Sequence, residues 1–306
     1  MPGRNDGDVP GARSWWIKLP NCPKVDSFSL TADSMLGSAS QQETTKMTME
    51  KITLEVAEGI ATITFRRPSK LNAWDGQMLE ELKAAVGDVA GREDARVLVF
   101  TGEGRAFSVG ADMNWFTPDP QTHRFRIQAR SAHDFFDAIE DLEKPVLAAI
   151  NGICVGGGLE LALSCDIRAA AAEAQFGFPE VNAGIIPGSG GCSRLARLVG
   201  VGVAKELILT GELISAAEAK AIGLVNIVVQ ADQLMVKTRE YAEKIMRRGP
   251  LAVGMAKQVI NTALNVDAAT GRALERLAQS ILLKTEDAEE GFRAFREKRR
   301  PKFSGR

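Results

Sequence analysis

Residues 151–160 read NGICVGGGLE, and this stretch decides the fold because it carries the chain from a strand into a helix. The apolar run Val146–Ile150 just before it is typical of a buried strand. Three consecutive glycines, Gly156 to Gly158, then leave backbone N–H groups open to a ligand. A helix that begins near Gly157 adds the partial positive charge of its N-terminus, so we expect a negatively charged or polarised oxygen to bind there.

Two other glycine-containing segments follow predicted strands in the same way. Residues 107–112 read FSVGAD, and residues 179–191 read PEVNAGIIPGSGG. Amides from two such loops can converge on one carbonyl oxygen and stabilise negative charge on it. The sequence therefore predicts an oxyanion hole, with the helix near Gly157 supplying one of the amides.

Other chemistries of glycine-rich loops do not fit. The third position after Gly158 is Leu161, so the dinucleotide fingerprint fails. Residues 104–110 lack the Lys-Ser/Thr pair of a phosphate loop. Pro187 stands where a serine-nucleophile motif around Ser189 would need glycine.

Two glutamates stand in apolar surroundings beside these loops. Glu160 lies one turn into the predicted helix among leucines and alanines, and Glu180 follows Phe178-Pro179. A carboxylate among apolar residues is costly unless it is partnered or functional. Each alone is compatible with a structural role, but together they are typical of a paired acid and base.

Strand and helix patterns alternate along the rest of the chain. Alternating apolar residues flank a turn at Glu58-Gly59, which is the signature of a β-hairpin. Other predicted elements are a helix over 78–89, strands at 97–100 and 167–170, and helices over 231–247, 251–264 and 267–285. From about residue 203 the pattern is almost wholly helical. This order predicts an α/β body followed by a helical end.

The first 48 residues show no sustained period of either strand or helix. We expect a disordered or flexible extension over 1–48, a core over 49–250 and a C-terminal helical subdomain over 251–306. The extension lacks the apolar stretch of a secretory signal, and its acidic residues disfavour a mitochondrial presequence. The cytoplasm is therefore the expected location, with the mitochondrial matrix as the weaker alternative.

Composition narrows the function classes. The 306 residues are 45% hydrophobic and carry a formal net charge of −1, so nothing favours nucleic acid as a partner. The apolar runs are too short to span a bilayer. The chain has four cysteines and two histidines, without metal-ligand spacing, and His123 and His133 lie in a polar stretch. We predict no metal site and interpret Cys154, Cys165 and Cys192 as buried thiols.

The three loop segments together resemble the crotonase (enoyl-CoA hydratase/isomerase) superfamily. Arg67-Pro68 with Leu71-Asn72-Ala73, and the ending around Glu290-Gly291 and residues 294–299, carry the same resemblance, which covers about residues 50–303. It implies an α/β fold, a crotonase-like spiral of ββα units with a C-terminal helical subdomain. It also implies a homotrimer or a homohexamer.

The resemblance assigns roles to individual residues. It implies Glu160 and Glu180 as catalytic, the amides of Ala111 and Gly157 as the oxyanion hole, and Gly188 as the backbone beside the water site. The implied coenzyme A and substrate contacts are Lys70, Leu71, Ala111, Asp112, Met113, Asn114, Phe295 and Lys298. The position of the family's lysine before Leu-Asn varies, which leaves the role of Lys70 open.

The expected activity is hydration of a 2-enoyl-CoA thioester, since two carboxylates can share one water and an isomerase needs only one base. The alternatives are another CoA-ester reaction of this fold, such as isomerisation, and a catalytically idle binding or scaffold protein. We expect an acyl-CoA substrate and no separate cofactor, no membrane and no nucleic acid. The basic excess over residues 291–306 fits a solvated face or a phosphate contact.

Overall fold

The predicted hairpin opens the ordered part of the chain. In the computed structural model, which describes residues 45–115 and 122–306, strand β2 (Ile52–Ala57) pairs antiparallel with β3 (Ile60–Phe65). Glu58 and Gly59 form the turn with φ of 53° and 81°, the left-handed conformation that a tight hairpin needs. The inward-facing residues of β2, Ile52, Leu54 and Val56, are buried as the alternation predicts.

The strands form two sheets. The larger sheet has the order β1-β2-β3-β4-β6-β8-β11, and the smaller has the order β10-β9-β7-β5. The remaining strands are β1 (Thr45–Thr48), β4 (Val97–Gly102), β5 (Ala106–Ser108), β6 (Val146–Ile150), β7 (Ile153–Val155), β8 (Ile167–Ala171), β9 (Gln175–Gly177), β10 (Ile214–Ser215) and β11 (Ile227–Val229).

The helices predicted over 78–89, 231–247, 251–264 and 267–285 are present to within a few residues, whereas the 20-residue helix Thr122–Asp141 had no predicted counterpart. The helices are α1 (Gly76–Gly91), α2 (Thr122–Asp141), α3 (Gly157–Ser164), α4 (Gly191–Val199), α5 (Val201–Thr210), α6 (Ala216–Ala221), α7 (Leu234–Met246), α8 (Pro250–Ala263), α9 (Ala268–Leu282) and α10 (Glu286–Arg296). Short 3₁₀ helices lie at Pro68–Lys70, Pro179–Ala183 and Ala231–Gln233.

A ββα unit repeats three times through the body. The strand pairs β4-β5, β6-β7 and β8-β9 each place their first strand in the larger sheet and their second in the smaller, before the chain enters a helix. The spiral predicted by the resemblance is therefore present. In the smaller sheet β5, β7 and β9 run parallel to one another, so their carboxyl ends meet at one edge. All three glycine-containing segments start at that edge.

Two stretches differ from the sequence prediction. Strands β10 and β11 interrupt the region after residue 203 that is predicted to be almost wholly helical. Each has only two or three residues, too few to show an alternation. Strand β11 is held by parallel pairing with β8, a partner distant in sequence. Strand β1 pairs with β2, although it lies within the predicted extension 1–48. Residues 1–44 lie outside the described residues, and the division at 250/251 stays a prediction.

The hydrophobic core covers both faces of the larger sheet. Phe65, Phe100 and Phe107 pack together with ring centroids 5.1–6.0 Å apart. Cys154 and Cys165 are buried, as predicted. The prediction for Cys192 is wrong: it is exposed, because it lies in the outward-facing first turn of α4. Among the described residues, no helix is long and apolar enough to cross a membrane.

Candidate active site

The first two glycine-containing segments touch each other. Gly110 has φ of +88°, and a Cβ atom added there would lie 2.5 Å from the Gly157 nitrogen. Any larger residue would therefore collide with the start of α3 as well as strain its own backbone. This close approach brings the loop after β5 against the helix start after β7, as an oxyanion hole built from two loops requires.

Two amides at this contact are free to bind a ligand. Trp74 N donates to Gly110 O (2.9 Å) and Asp112 N donates to Trp74 O (2.8 Å), so the Ala111 N–H between them faces away from Trp74. The Gly157 N–H belongs to the first turn of α3, where no intrahelical acceptor exists. Within the described part of the chain neither amide has an acceptor. The role of these two amides as an oxyanion hole stays a prediction.

Glu160 is buried on α3, with 4% of its surface exposed. Its Oε1 accepts hydrogen bonds from Ser189 N (2.6 Å) and Gly191 N (2.9 Å). Burial raises the pKa of this carboxyl, whereas the two amide bonds and the charges of His133 and Arg194 lower it. The carboxylate is thus fixed in one orientation by backbone donors.

Glu180 is half-buried in the 3₁₀ helix after β9, and its hydrogen bonding contrasts with that of Glu160. Its Oε2 is buried and has no hydrogen-bond partner among the described residues. Its Oε1 would lie 3.1 Å from a Cβ at Gly156, which places it next to the oxyanion amide of Gly157. Burial, with a further contribution from the charge of Glu160, raises the pKa of Glu180 to about 7. A carboxyl with this pKa can both accept and release a proton near neutral pH.

The loop Pro187–Gly191 connects these groups, and Gly191 in it is needed for space. A Cβ at Gly191 would lie 2.6 Å from Pro187 Cβ, 2.9 Å from Phe178 and 3.0 Å from Glu160 Oε1. Only glycine lets this amide approach the carboxylate. Gly188, predicted to lie beside the water site, sits in the same exposed loop.

The predicted coenzyme turn is held against the first oxyanion loop. Leu71 and Asn72 have φ of 52° and 56°, a rare conformation for such residues. The buried Asn72 side chain accepts from Arg67 N (2.9 Å) and donates to Ala106 O (2.8 Å), which stabilises the turn. Val109 N donates to Leu71 O (3.2 Å). Lys70 and Leu71 are thereby brought near residues 111–114.

Two ion pairs of Arg67 that the sequence did not reveal reinforce this arrangement. Arg67 lies 3.1 Å from Asp112 and 3.4 Å from Asp75, linking the turn to the oxyanion loop and to the start of α1. Asp112 Oδ1 also accepts from Asn114 N (3.0 Å), and Met113 is largely exposed. The Arg67-Pro68 pair was recognised as a motif, but its partners lie too far along the chain to be read from spacing.

Two predicted contacts are not brought together with the rest. Phe295 lies on α10 with 83% of its surface exposed, and Lys298 follows the helix with φ of 54°. Within the described residues neither one contacts the loops that hold Ala111, Gly157 or the glutamates. Their predicted role toward the coenzyme stays a prediction.

Two further residues, not predicted from the sequence, contact the loop whose amides bind Glu160. Arg194 pairs with Asp137 (2.5 Å) and Glu140 (2.8 Å) of α2 and donates to Ser189 O (3.2 Å). The His133 ring contacts the Gly188 carbonyl. Backbone donors such as Ser189 N carry no side-chain signal, so only the glycine-rich composition of the loop could have indicated them. The His123 side chain lies outside the described residues.

Comparison with known proteins places this geometry in a family. The family model described as enoyl-CoA hydratase/isomerase matches residues 55–306. A short-chain-enoyl-CoA hydratase of Clostridium acetobutylicum is 41% identical over 255 residues, which cover 83% of this chain and 97% of that protein. A crotonyl-CoA hydratase of Syntrophomonas wolfei is 40% identical over 265 residues, covering 84% and 99%.

Solved structures agree with the sequence relatives. The crystal structure of an enoyl-CoA hydratase from Bacillus anthracis superposes with a TM-score of 0.80 at 40% identity, covering 84% of this chain and 100% of that one. One from Geobacillus kaustophilus superposes with a TM-score of 0.82 at 34% identity, covering 86% and 100%. The chain belongs to the enoyl-CoA hydratase/isomerase family, the crotonase superfamily.

Proposed function

We propose that this chain is an enoyl-CoA hydratase, a hydro-lyase that adds water across the α,β double bond of a 2-enoyl-CoA thioester. The observation that carries the proposal is the position of Glu160 and Glu180 beside two free amides. The carboxylates differ in their hydrogen bonds: Glu160 accepts from Ser189 N and Gly191 N, and Glu180 has a buried oxygen without a partner among the described residues. The hydratase names of the relatives support the same reaction.

The two amides would stabilise the charge that develops during addition. When water attacks Cβ, the π electrons move toward the thioester oxygen and form an enolate. The N–H groups of Ala111 and Gly157 would donate hydrogen bonds to that oxygen, and the N-terminus of α3 would add positive potential. Preorganised donors of this kind are worth roughly 3 kcal/mol each.

The two glutamates would share the water. The fixed Glu160 carboxylate orients it, while Glu180 accepts one of its protons as the water oxygen bonds to Cβ. Glu180 then returns that proton to Cα of the enolate, so water adds across the double bond and both carboxyls end in their starting state. A pKa of about 7 suits Glu180 to both steps.

The alternatives have less support from these contacts. A double-bond isomerase moves one proton and needs one base. It would therefore not need a second carboxylate, Glu160, that is oriented by two backbone amides. An idle scaffold protein would not need a buried, unpartnered carboxyl oxygen, which costs free energy. The acyl chain stays open; Trp74, Trp115 and Phe136 form an aromatic cluster beside Gly157 that can limit its size.

The binding partners follow from the same proposal. Lys70, Leu71 and residues 111–114 would hold the coenzyme A part of the substrate, and Phe295 on α10 and Lys298 just after it would also approach the coenzyme. No separate cofactor, nucleic acid or membrane is expected, and the bacterial relatives favour the cytoplasm.

A homotrimer or homohexamer is proposed because large apolar side chains on the C-terminal helices are exposed. Ile260, Leu264, Leu277 and Ile281 are each at least half exposed. Light scattering should give three or six chains, and a stable monomer at micromolar concentration would contradict this.

Hydration of a panel of enoyl-CoA thioesters, differing in chain length and in aromatic substitution, tests the proposed activity. Loss of the conjugated thioester absorbance with formation of the 3-hydroxyacyl product is the expected result. A shift of the double bond without uptake of water would favour the isomerase, and no turnover of any ester would favour the scaffold.

A further inference from the structure

His133 faces the loop Pro187–Gly191, whose backbone amides donate hydrogen bonds to Glu160. It is a half-buried residue of α2, and its Nε2 hydrogen-bonds to the Gly188 carbonyl. A carbonyl oxygen can only accept, so the proton of the neutral ring must lie on Nε2.

One peptide group links the two residues. The Gly188 carbonyl and the Ser189 N–H are opposite ends of a single planar trans peptide and point in opposite directions. His133 holds the oxygen end, while the N–H end donates to Glu160 Oε1 at 2.6 Å. Because the plane is rigid, fixing one end fixes the direction of the other.

Little packs against Gly188 itself, although Pro187 just before it is buried. A Cβ at Gly188 would meet only Ile186 O, at 3.6 Å, so the space around it is open. Ile186 is 66% exposed and contributes little packing. The next peptide is anchored by Arg194, which donates to Ser189 O at 3.2 Å and is itself held by the acids of α2. His133 and Arg194 therefore clamp the outer side of the loop from two helices.

We infer that His133 is a positioning residue, which aligns the Ser189 amide on Glu160 through the Gly188–Ser189 peptide and so fixes the carboxylate that orients water. The expected effect on catalysis rests on the proposed function. The alignment of the Gly188–Ser189 peptide by His133 does not depend on that function. His133 touches neither substrate nor the reacting atoms and acts only through the loop.

Three variants test the role. His133→Leu removes the donor, whereas His133→Gln keeps an N–H group at nearly the position of Nε2. Asp134→Ala changes the neighbouring exposed residue, whose ion pair with Arg130 is 3.6 Å long, and is the matched control. For each, kcat and KM for hydration, the thermal midpoint, and the exchange rate of the Ser189 amide proton by NMR are measured.

In His133→Leu we expect kcat to fall by about tenfold, the effect of losing one well-placed hydrogen bond, with KM unchanged. Ser189 amide exchange should be at least about tenfold faster, since the peptide can then rotate. His133→Gln should restore both values, and Asp134→Ala should behave as wild type. A merely structural role would lower the thermal midpoint without this selective rescue.

The inference is overturned if His133→Leu keeps wild-type kcat and Ser189 protection, or if His133→Gln is as defective as the leucine variant. If His133→Leu does not fold, the same comparison is made between His133→Asn, whose shorter side chain cannot reach the carbonyl, and His133→Gln. A wild type that hydrates no enoyl-CoA would refute the proposed function, while Ser189 exchange would still decide the role of His133.

Discussion

Two regions of the molecule hold acidic side chains in contrasting ways. In the active site, Glu160 receives backbone amides alone and one oxygen of Glu180 has no partner among the described residues. At the C-terminus, Glu290 accepts from Arg293, Arg299 and the Lys302 amide. Burial of a carboxylate therefore does not by itself mark a catalytic group; the set of partners does.

The pKa values of the two regions move in opposite directions. The bonds from Arg299, Lys302 N and Arg293 hold the pKa of Glu290 well below its usual range. Burial raises that of Glu180 to about 7. The C-terminal carboxylate stays charged and binds the tail to α10, whereas the active-site carboxyl can change its protonation state. If this contrast separates a structural carboxylate from a catalytic one, substitutions in the two regions should have different effects on activity and on stability.

The largest effect is expected from the active-site pair. Glu160→Gln and Glu180→Gln should each fold normally, since the amide has nearly the same volume, and lose at least about 10²-fold in hydration, the low end for positioned acid–base groups. Turnover and thermal midpoint for each variant, with the exposed Glu289→Gln as control, provide the measurement. Full hydration in Glu180→Gln would eliminate the two-carboxylate mechanism even though the family assignment stands.

A smaller effect concerns stability and pH. The pKa of Glu180 rises from 4.5 to about 7 on folding, so its contribution to stability is fully present below pH 4.5 and is lost as pH rises through 7. Glu180→Gln should therefore be more stable than wild type at pH 8, by about 1–2 kcal/mol after allowance for solvent around this half-buried group. Denaturant unfolding at pH 4.5 and 8 checks this, and an equal difference at both values would contradict it.

The smallest effect on activity is expected at the C-terminus. Glu290→Gln breaks the ion pairs with Arg293 and Arg299, so the thermal midpoint at pH 7 should drop by a few degrees. Because the folded-state pKa of Glu290 is depressed, its stabilisation is present above the unfolded pKa and is lost in acid, the reverse of Glu180. Calorimetry at pH 7 and pH 3 measures both. If Glu290→Gln lost as much kcat as Glu180→Gln, the two regions would not differ in their role in catalysis, and the prediction would be wrong.

The sequence was sufficient for most of the architecture, and it singled out the two glutamates, whose catalytic role stays a prediction. The hairpin, the central strands and the long helices have local periods, and the glycine-containing segments follow strands as predicted. Strands β10 and β11 could not be found because their pairing partners lie far away in sequence. The burial of Cys192 was predicted from glycine-rich neighbours that proved to be a surface turn.

The hydrogen-bond and ion-pair partners of the carboxylates were not predictable for the same reason. Glu160 meets the Ser189 amide 29 residues along the chain, and a backbone donor leaves no trace in residue type. The basic residues near the end were interpreted as a solvated face or a phosphate contact, yet Arg293 and Arg299 bind Glu290. What a carboxylate touches depends on tertiary approach, which spacing does not encode.

The most direct test of the central claim, that both glutamates act on one water, is the turnover of the double variant Glu160→Gln/Glu180→Gln beside the two single variants. If the two residues work as a unit, the first substitution already removes the shared step, and the double variant should hydrate scarcely more slowly than the poorer single variant. Losses that multiply, to about 10⁴-fold or more below wild type, would show that the glutamates act independently and would contradict the account.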